Sequence, residues 1–250
     1  MIDVNPGWLT RLGDTGTLLA MLLAGHVVAD FIAQTDDMVR RKTRPTGLLA
    51  HGALVALIHM VLVLPFARPS TAVVILLLAA VHIGIDHAKQ RLQDKTRLKA
   101  TLFLADQALH LGSICIAWWL LVQLAWWTPR PLPVPVETAT WFLVAFAAYG
   151  FAWNGGGAIV RELLRSRGAD DVTTPDQMGK LIGCLERWIV ITLVLLAQWS
   201  AIAFVFAAKS IARFKQIEER KFAEYYLVGT LASLVVAVSI GLVIQWMTGS

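Results

Sequence analysis

Apolar runs about as long as a membrane-crossing helix recur along this chain, at about 16–35, 47–66, 70–88, 101–127, 137–153, 186–208 and 224–246. A stretch of roughly 18 or more such residues can cross a bilayer as a helix. The reading is therefore an all-α, polytopic transmembrane helical bundle with about seven transmembrane helices, six being the alternative. The fifth run is the shortest. Composition agrees: 57% of residues are hydrophobic and 16% charged, against about 45–50% and about 25% in soluble domains.

Charge orients the runs. Arg40, Arg41, Lys42 and Arg44 follow the first run, and Lys89, Arg91, Lys95, Arg97 and Lys99 follow the third; the alternate loops carry only Arg68 and Arg130. The positive-inside rule places both basic loops in the cytoplasm and the N-terminus outside. The stretch before the first run lacks a basic start and a small-residue cleavage site, so the first run is expected to stay as an anchor. The net charge of +5 is explained by these membrane-edge loops, and no soluble basic domain offers a nucleic-acid site. Cys115 and Cys184 are far apart and form no thiolate motif.

The proline-rich segment 128–135 divides the chain into an N-terminal half, 1–127, and a C-terminal half, 136–250. All six histidines lie before it. Beyond it, Asn154–Gly157 is read as a break followed by an amphipathic cytoplasmic helix. Thr174, Pro175 and Gln177 then read as the start of a helix that runs on into run six. The loops around 154–187 and 209–223 are both basic, so simple alternation cannot put both in the cytoplasm. Either run five or run six does not cross fully, or one basic loop faces outward. Glu186 is expected to pair with Arg187, and Lys209 to lie on a solvated face. Gly179 and Gly183 form a GxxxG step, a common close-packing device.

The polar residues inside the first four runs carry the chemistry. His26, Asp30 and Gln34 are spaced i, i+4, i+8 and share a helix face. His51 lies about one turn inside run two and His59 two turns deeper. His82, Asp86 and Lys89 share a face of run three, and Asp106, Gln107 and His110 open run four. Four helices thus bring His and Asp to one depth on one side, in a place where such groups are expensive. Imidazoles and carboxylates at helical spacing suit a divalent metal ion such as zinc, manganese or iron. Carboxylate–histidine pairs also suit the orientation of a ligand by its neighbour. The candidate ligands are His26, Asp30, His51, His82, Asp86, Asp106 and His110, with Asp30, Asp86 and Asp106 as ligands or bases. Gln34, Asp36, His59, Lys89 and Gln107 complete the polar set, while His87 reads as an edge residue. A lone polar residue in such a helix is often only an interhelical hydrogen bond.

The motifs H-x3-D-F-x2-Q-T-D (His26 to Asp36), H-x7-H (His51, His59), H-x3-D-x2-K (His82, Asp86, Lys89) and D-Q-x2-H (Asp106, Gln107, His110) occur in that order. Over about 16–125 the chain resembles an uncharacterised bacterial integral-membrane family catalogued as domain of unknown function thirty-three-oh-seven. His87 stands where that family's pattern has an aromatic. The resemblance implies a multi-pass protein of the bacterial inner membrane and brings no activity with it. A more distant pattern likeness is to bacterial membrane-bound metal-dependent hydrolases. The leading expectation is a divalent-metal-dependent hydrolase acting on a lipid or lipid-linked phosphate at the cytoplasmic leaflet. Its partner would be membrane lipid, with no nucleic acid; homo-oligomerisation is left open. A proton or metal-ion transporter is the second reading, and a structural or partner-binding membrane protein the third. No HExxH motif favours the enzyme, and no inverted repeat favours the transporter.

Overall fold

The computed structural model describes residues 7–93, 95–96, 98–166, 177–212 and 220–249, with backbone alone at 36, 177, 212, 221 and 222. Among them are ten α-helices: α1 (Trp8–Arg11), α2 (Asp14–Val27), α3 (Asp36–Arg41), α4 (Pro45–Val63), α5 (Thr71–Gln93), α6 (Lys99–Gln123), α7 (Val136–Arg165), α8 (Gln177–Leu195), α9 (Trp199–Ala212) and α10 (Arg220–Thr248). A π-helical turn, Val28–Ile32, extends α2, and a 3-10 turn, Leu64–Phe66, closes α4. The protein is an all-α, multi-pass membrane bundle.

Among the described residues, six helices are long and apolar enough to cross a membrane: Asp14–Ile32, Pro45–Phe66, Thr71–Gln93, Lys99–Gln123, Val136–Arg165 and Ala223–Thr248. Their outer faces carry large apolar side chains such as Leu57, Leu76 and Phe142, each more than 60% exposed. Soluble monomers rarely show such continuous apolar surface; a lipid-facing helix requires it.

The expectation of seven crossings is corrected to six. Run 186–208 is two helices, α8 and α9, parted at Ala197, whose φ is 54°. Gln198 N–H donates to Leu193 O (2.8 Å) and Ala197 N–H to Val194 O (2.9 Å), the paired bonds of a Schellman C-cap. The chain then doubles back: Lys209 on α9 reaches Glu186 on α8 at 2.5 Å and lies over the Tyr226 ring of α10. The α8–α9 hairpin thus returns toward the end from which it started. With the hairpin returning, Glu186 and Lys209, at the borders of the two basic segments that simple alternation separated, lie at one end of the bundle. At the other end, the Trp8 ring of α1 lies 5.4 Å from that of Trp246 near the end of α10, as an even number of full crossings demands.

Two further expectations are revised. Asn154–Gly157 does not break the chain, because α7 runs through it unbroken. Arg187 explains two of the glycines: a Cβ on Gly156 would lie 3.0 Å from its Nε and one on Gly157 3.3 Å from its Nη2, while Gly155 faces Phe31 and Phe151. Arg187 instead donates from Nε to Ala152 O (2.7 Å) and from Nη2 to Trp153 O (3.2 Å). Glu186 therefore pairs with Lys209 rather than Arg187, and Lys209 is largely buried rather than on a solvated face. Thr174, Pro175 and Asp176 lie outside the described residues.

The core runs through both halves, with Leu18, Leu22, Phe66, Ile75, Ile114, Leu121, Ile191 and Ile244 almost wholly buried. α5 packs between α4 and α6, while α7 lies along α2. At the end near α1 the connections are tied together: Arg68 Nη1 donates to Ala125 O (2.8 Å), Thr71 Oγ1 to Trp126 O, and Thr128 N–H to Phe66 O (2.9 Å). The polar cluster lies toward the opposite end.

Candidate metal centre

Four segments bring the donors together. α2 carries His26 one turn before the π-helical turn that holds Asp30. That turn ends with Ala33 N–H donating to Val28 O at 2.7 Å, and Asn154 Nδ2 of α7 caps Phe31 O. Such single π-turns recur at functional sites, where the extra residue re-aims a side chain. Pro45 opens α4 at a position where its missing N–H leaves no bond unmade, and His51 follows in the second turn. α5 supplies His82, Asp86 and Lys89 on successive turns of one face; α6 supplies Asp106, Gln107 and His110.

At the centre, His51 Nε2 and His82 Nε2 face each other at 3.0 Å. Asp30 Oδ1 lies 3.0 Å from the first and 3.2 Å from the second. Asp86 Oδ2 is 3.6 Å from both. The other oxygen of Asp86 points to His110, with Nε2 at 3.8 Å from Oδ1, and Asp106 Oδ1 is 3.5 Å from the same nitrogen. His26 sits between, its Nδ1 3.7 Å from Asp30 Oδ2 and its Nε2 3.3 Å from Gln107 Oε1. Donor atoms of His26, His82 and His110, of Asp30, His51 and His82, and of Asp86, Asp106 and His110 each fall within 4.8 Å of one another. All seven candidate ligands therefore converge.

Burying three carboxylates requires cations. Lys42 Nζ holds Asp86 Oδ2 at 2.6 Å and Lys89 Nζ holds Asp106 Oδ2 at 2.7 Å, with Gln107 Nε2 donating to the same oxygen at 2.9 Å. The imidazoles of His51 and His82 serve Asp30. Lys89 thus grips one oxygen of Asp106 and leaves the other facing His110, whereas the Asp86 oxygen that Lys42 grips also faces His51 and His82. Asp106 Oδ1 and His110 Nε2 are buried and have no hydrogen-bond partner among the described residues. Buried polar atoms are normally satisfied, and those that are not call for an explanation, such as a strained or catalytic role, a water or an ion.

The remaining polar residues separate. His59 lies deeper, its Nδ1 on Val55 O at 2.8 Å and its ring against Gly25, where a Cβ would come within 2.8 Å of it. Gln34 is half-buried, and the Asp36 side chain lies outside the described residues. His87 is exposed, in keeping with an edge position. Lys42 and Asn154 were not singled out by sequence. The signal that could have found Lys42 is charge balance, since three buried carboxylates with Lys89 alone are short of cations.

The fold and cluster define a class: a multi-pass α-helical membrane protein with a buried His/Asp cluster toward one end of its first four spanning helices. Residues 18–130, the segment holding all seven donors, match the family model described as Protein of unknown function (DUF3307). No curated protein and no solved structure matches the chain.

Proposed function

We propose that this protein is a membrane-embedded, divalent-metal-dependent hydrolase acting on a lipid or lipid-linked phosphate near the cytoplasmic face of a bacterial inner membrane. One observation carries the metal reading. Asp30 Oδ1, His51 Nε2 and His82 Nε2 lie 3.0–3.2 Å apart, and Asp86 Oδ2, which also accepts from Lys42 Nζ, is 3.6 Å from both imidazoles. Tetrahedral ligands about 2.0–2.2 Å from an ion stand ~3.3–3.6 Å apart. Two imidazole nitrogens and two carboxylate oxygens suit zinc, manganese or iron.

A bound ion would supply Lewis acidity and an activated water. The chain's own groups do the rest. Lys42 and Lys89 offset carboxylate charge, and Lys89, 29% exposed, faces the edge of the cluster. There its ammonium, which also donates to Asp106 Oδ2, would meet an anionic phosphate. Arg40, Arg41, Arg44, Arg91 and Lys99 surround the same end, which the positive-inside rule assigns to the cytoplasm. Asp30, Asp86 and Asp106 are the groups available as ligands or proton acceptors. The transporter reading has less support, because beyond His59 the bundle interior is dominated by Leu18, Leu22, Val63, Ile75 and Leu121.

The test is metal analysis of protein purified in detergent without chelators, followed by phosphate release from phospholipid and isoprenoid phosphates in mixed micelles. At least one divalent ion per chain is expected, with release abolished by EDTA and restored by added metal. Protein free of stoichiometric metal overturns the reading. Metal without hydrolysis, together with ion flux in proteoliposomes, replaces the enzyme by the transporter.

A further inference from the structure

We infer that the cluster is a two-ion centre bridged by Asp86, with one closed and one open position. The inference rests on the metal reading above and goes beyond it in stoichiometry and in where substrate binds. The closed position is the set of Asp30 Oδ1, His51 Nε2 and His82 Nε2, completed by Asp86 Oδ2, which lies 3.6 Å from both imidazoles and also accepts from Lys42 Nζ. The open position is formed by Asp86 Oδ1, Asp106 Oδ1 and His110 Nε2, three donors within 4.8 Å of one another.

Three observations point to the second position. Asp106 and His110 are 3% and 1% exposed, yet among the described residues Asp106 Oδ1 and His110 Nε2, 3.5 Å from each other, have no hydrogen-bond partner. Both are aimed at one point, with Asp86 Oδ1 3.8 Å from the nitrogen. Lys89 and Gln107 hold Asp106 by its other oxygen alone, which orients Oδ1 inward. Asp86 turns Oδ2, which Lys42 also holds, toward His51 and His82, and Oδ1 toward His110. A carboxylate presenting one oxygen to each of two donor sets is placed to bridge them, and paired ions about 3.5–4 Å apart clamp the attacking and leaving oxygens of a phosphoryl displacement.

The donor counts assign the roles. Four protein ligands make a closed site, whereas three leave a position for water or substrate. Lys89, on the Asp106 side, is the partly exposed cation of the cluster, so the open position is the one a phosphate oxygen reaches. His26 lies outside these two sets, although its donor atom also falls within 4.8 Å of those of His82 and His110. Its Nδ1 faces Asp30 Oδ2 and its Nε2 faces Gln107 Oε1, which makes it a positioning residue for Asp30.

The experiment loads chelator-stripped full-length protein in detergent with Mn2+, counting bound ions after desalting and recording the electron paramagnetic resonance spectrum. Wild type should bind two ions per chain and show the spectrum of an exchange-coupled pair. Asp106→Asn should bind one, with an uncoupled six-line signal; His51→Gln should also lose the coupled spectrum. Asp86→Asn should lose coupling and weaken both positions, and it is read only if it elutes as a monodisperse helical protein. A wild type that binds one ion at saturation, with no coupled signal, overturns the two-ion centre and leaves the metal reading intact. A wild type that binds none overturns both.

Discussion

The ammonium of Lys42 lies 2.6 Å from Asp86 Oδ2, where both side chains are 10% exposed or less. Breaking a buried pair by removing one partner leaves a charge uncompensated and typically costs about 3–5 kcal/mol. A divalent ion on Asp86 would supply the same compensation. Lys42→Met should therefore unfold at a clearly lower temperature than wild type in EDTA and close to wild type once saturated with Mn2+. Equal destabilisation under both conditions would make Lys42 a structural tie and nothing more. At this scale the donors were legible because a lone His or Asp stands out in an apolar run, and helical spacing assigns its face. Lys42 was not legible, because a lysine among Arg40, Arg41 and Arg44 reads as one more membrane-edge cation. Only the fold of α3 over the end of the bundle turns it inward.

Helices carry a different lesson. α6 and α8 both end in Schellman caps in which alanine takes the left-handed residue, Ala125 with φ 50° and Ala197 with φ 54°. Glycine is the usual residue there. Without it, run six reads as continuous and the count comes out at seven. The NGGG stretch misleads in the opposite sense, since glycines that suggest a break instead give the buried Arg187 room against α7. The lengths of the first four spans were readable, because nothing but their apolar stretches decides them. The hairpin yields a topological prediction. In a background with Cys115 and Cys184 replaced by serine, cysteines at Leu12 and appended after Ser250 should both react with an impermeant maleimide from outside intact cells. A cysteine at Lys95 should react only after permeabilisation. Reaction at one terminus alone would restore an odd number of crossings.

Taken whole, the molecule joins an apolar, tightly tied end, where Arg68, Thr71, Trp126 and Thr128 link the connections, to an end holding charged groups from four segments. The interior there is held by opposed charges rather than by shape alone, so whatever binds the cluster should govern the stability of the entire bundle. A ligand that binds only the folded state stabilises by RT ln(1 + [L]/Kd), about 2.7 kcal/mol at a hundredfold excess over Kd. Metal ligands must be deprotonated, so protons compete with the ion for each imidazole and binding releases them. The sign follows directly: as pH falls, Kd rises and the stabilisation shrinks. At fixed free Mn2+, the difference in unfolding temperature between metal-saturated and EDTA-treated protein should be large at pH 8 and should fall steadily toward pH 5.5. His51→Gln should reduce that difference at every pH and flatten its slope, because one competing imidazole is gone. Scanning calorimetry or intrinsic tryptophan fluorescence in detergent reads both quantities. A difference that stayed constant across this range would mean that the ion binds away from the histidines, and the cluster would then be no metal centre.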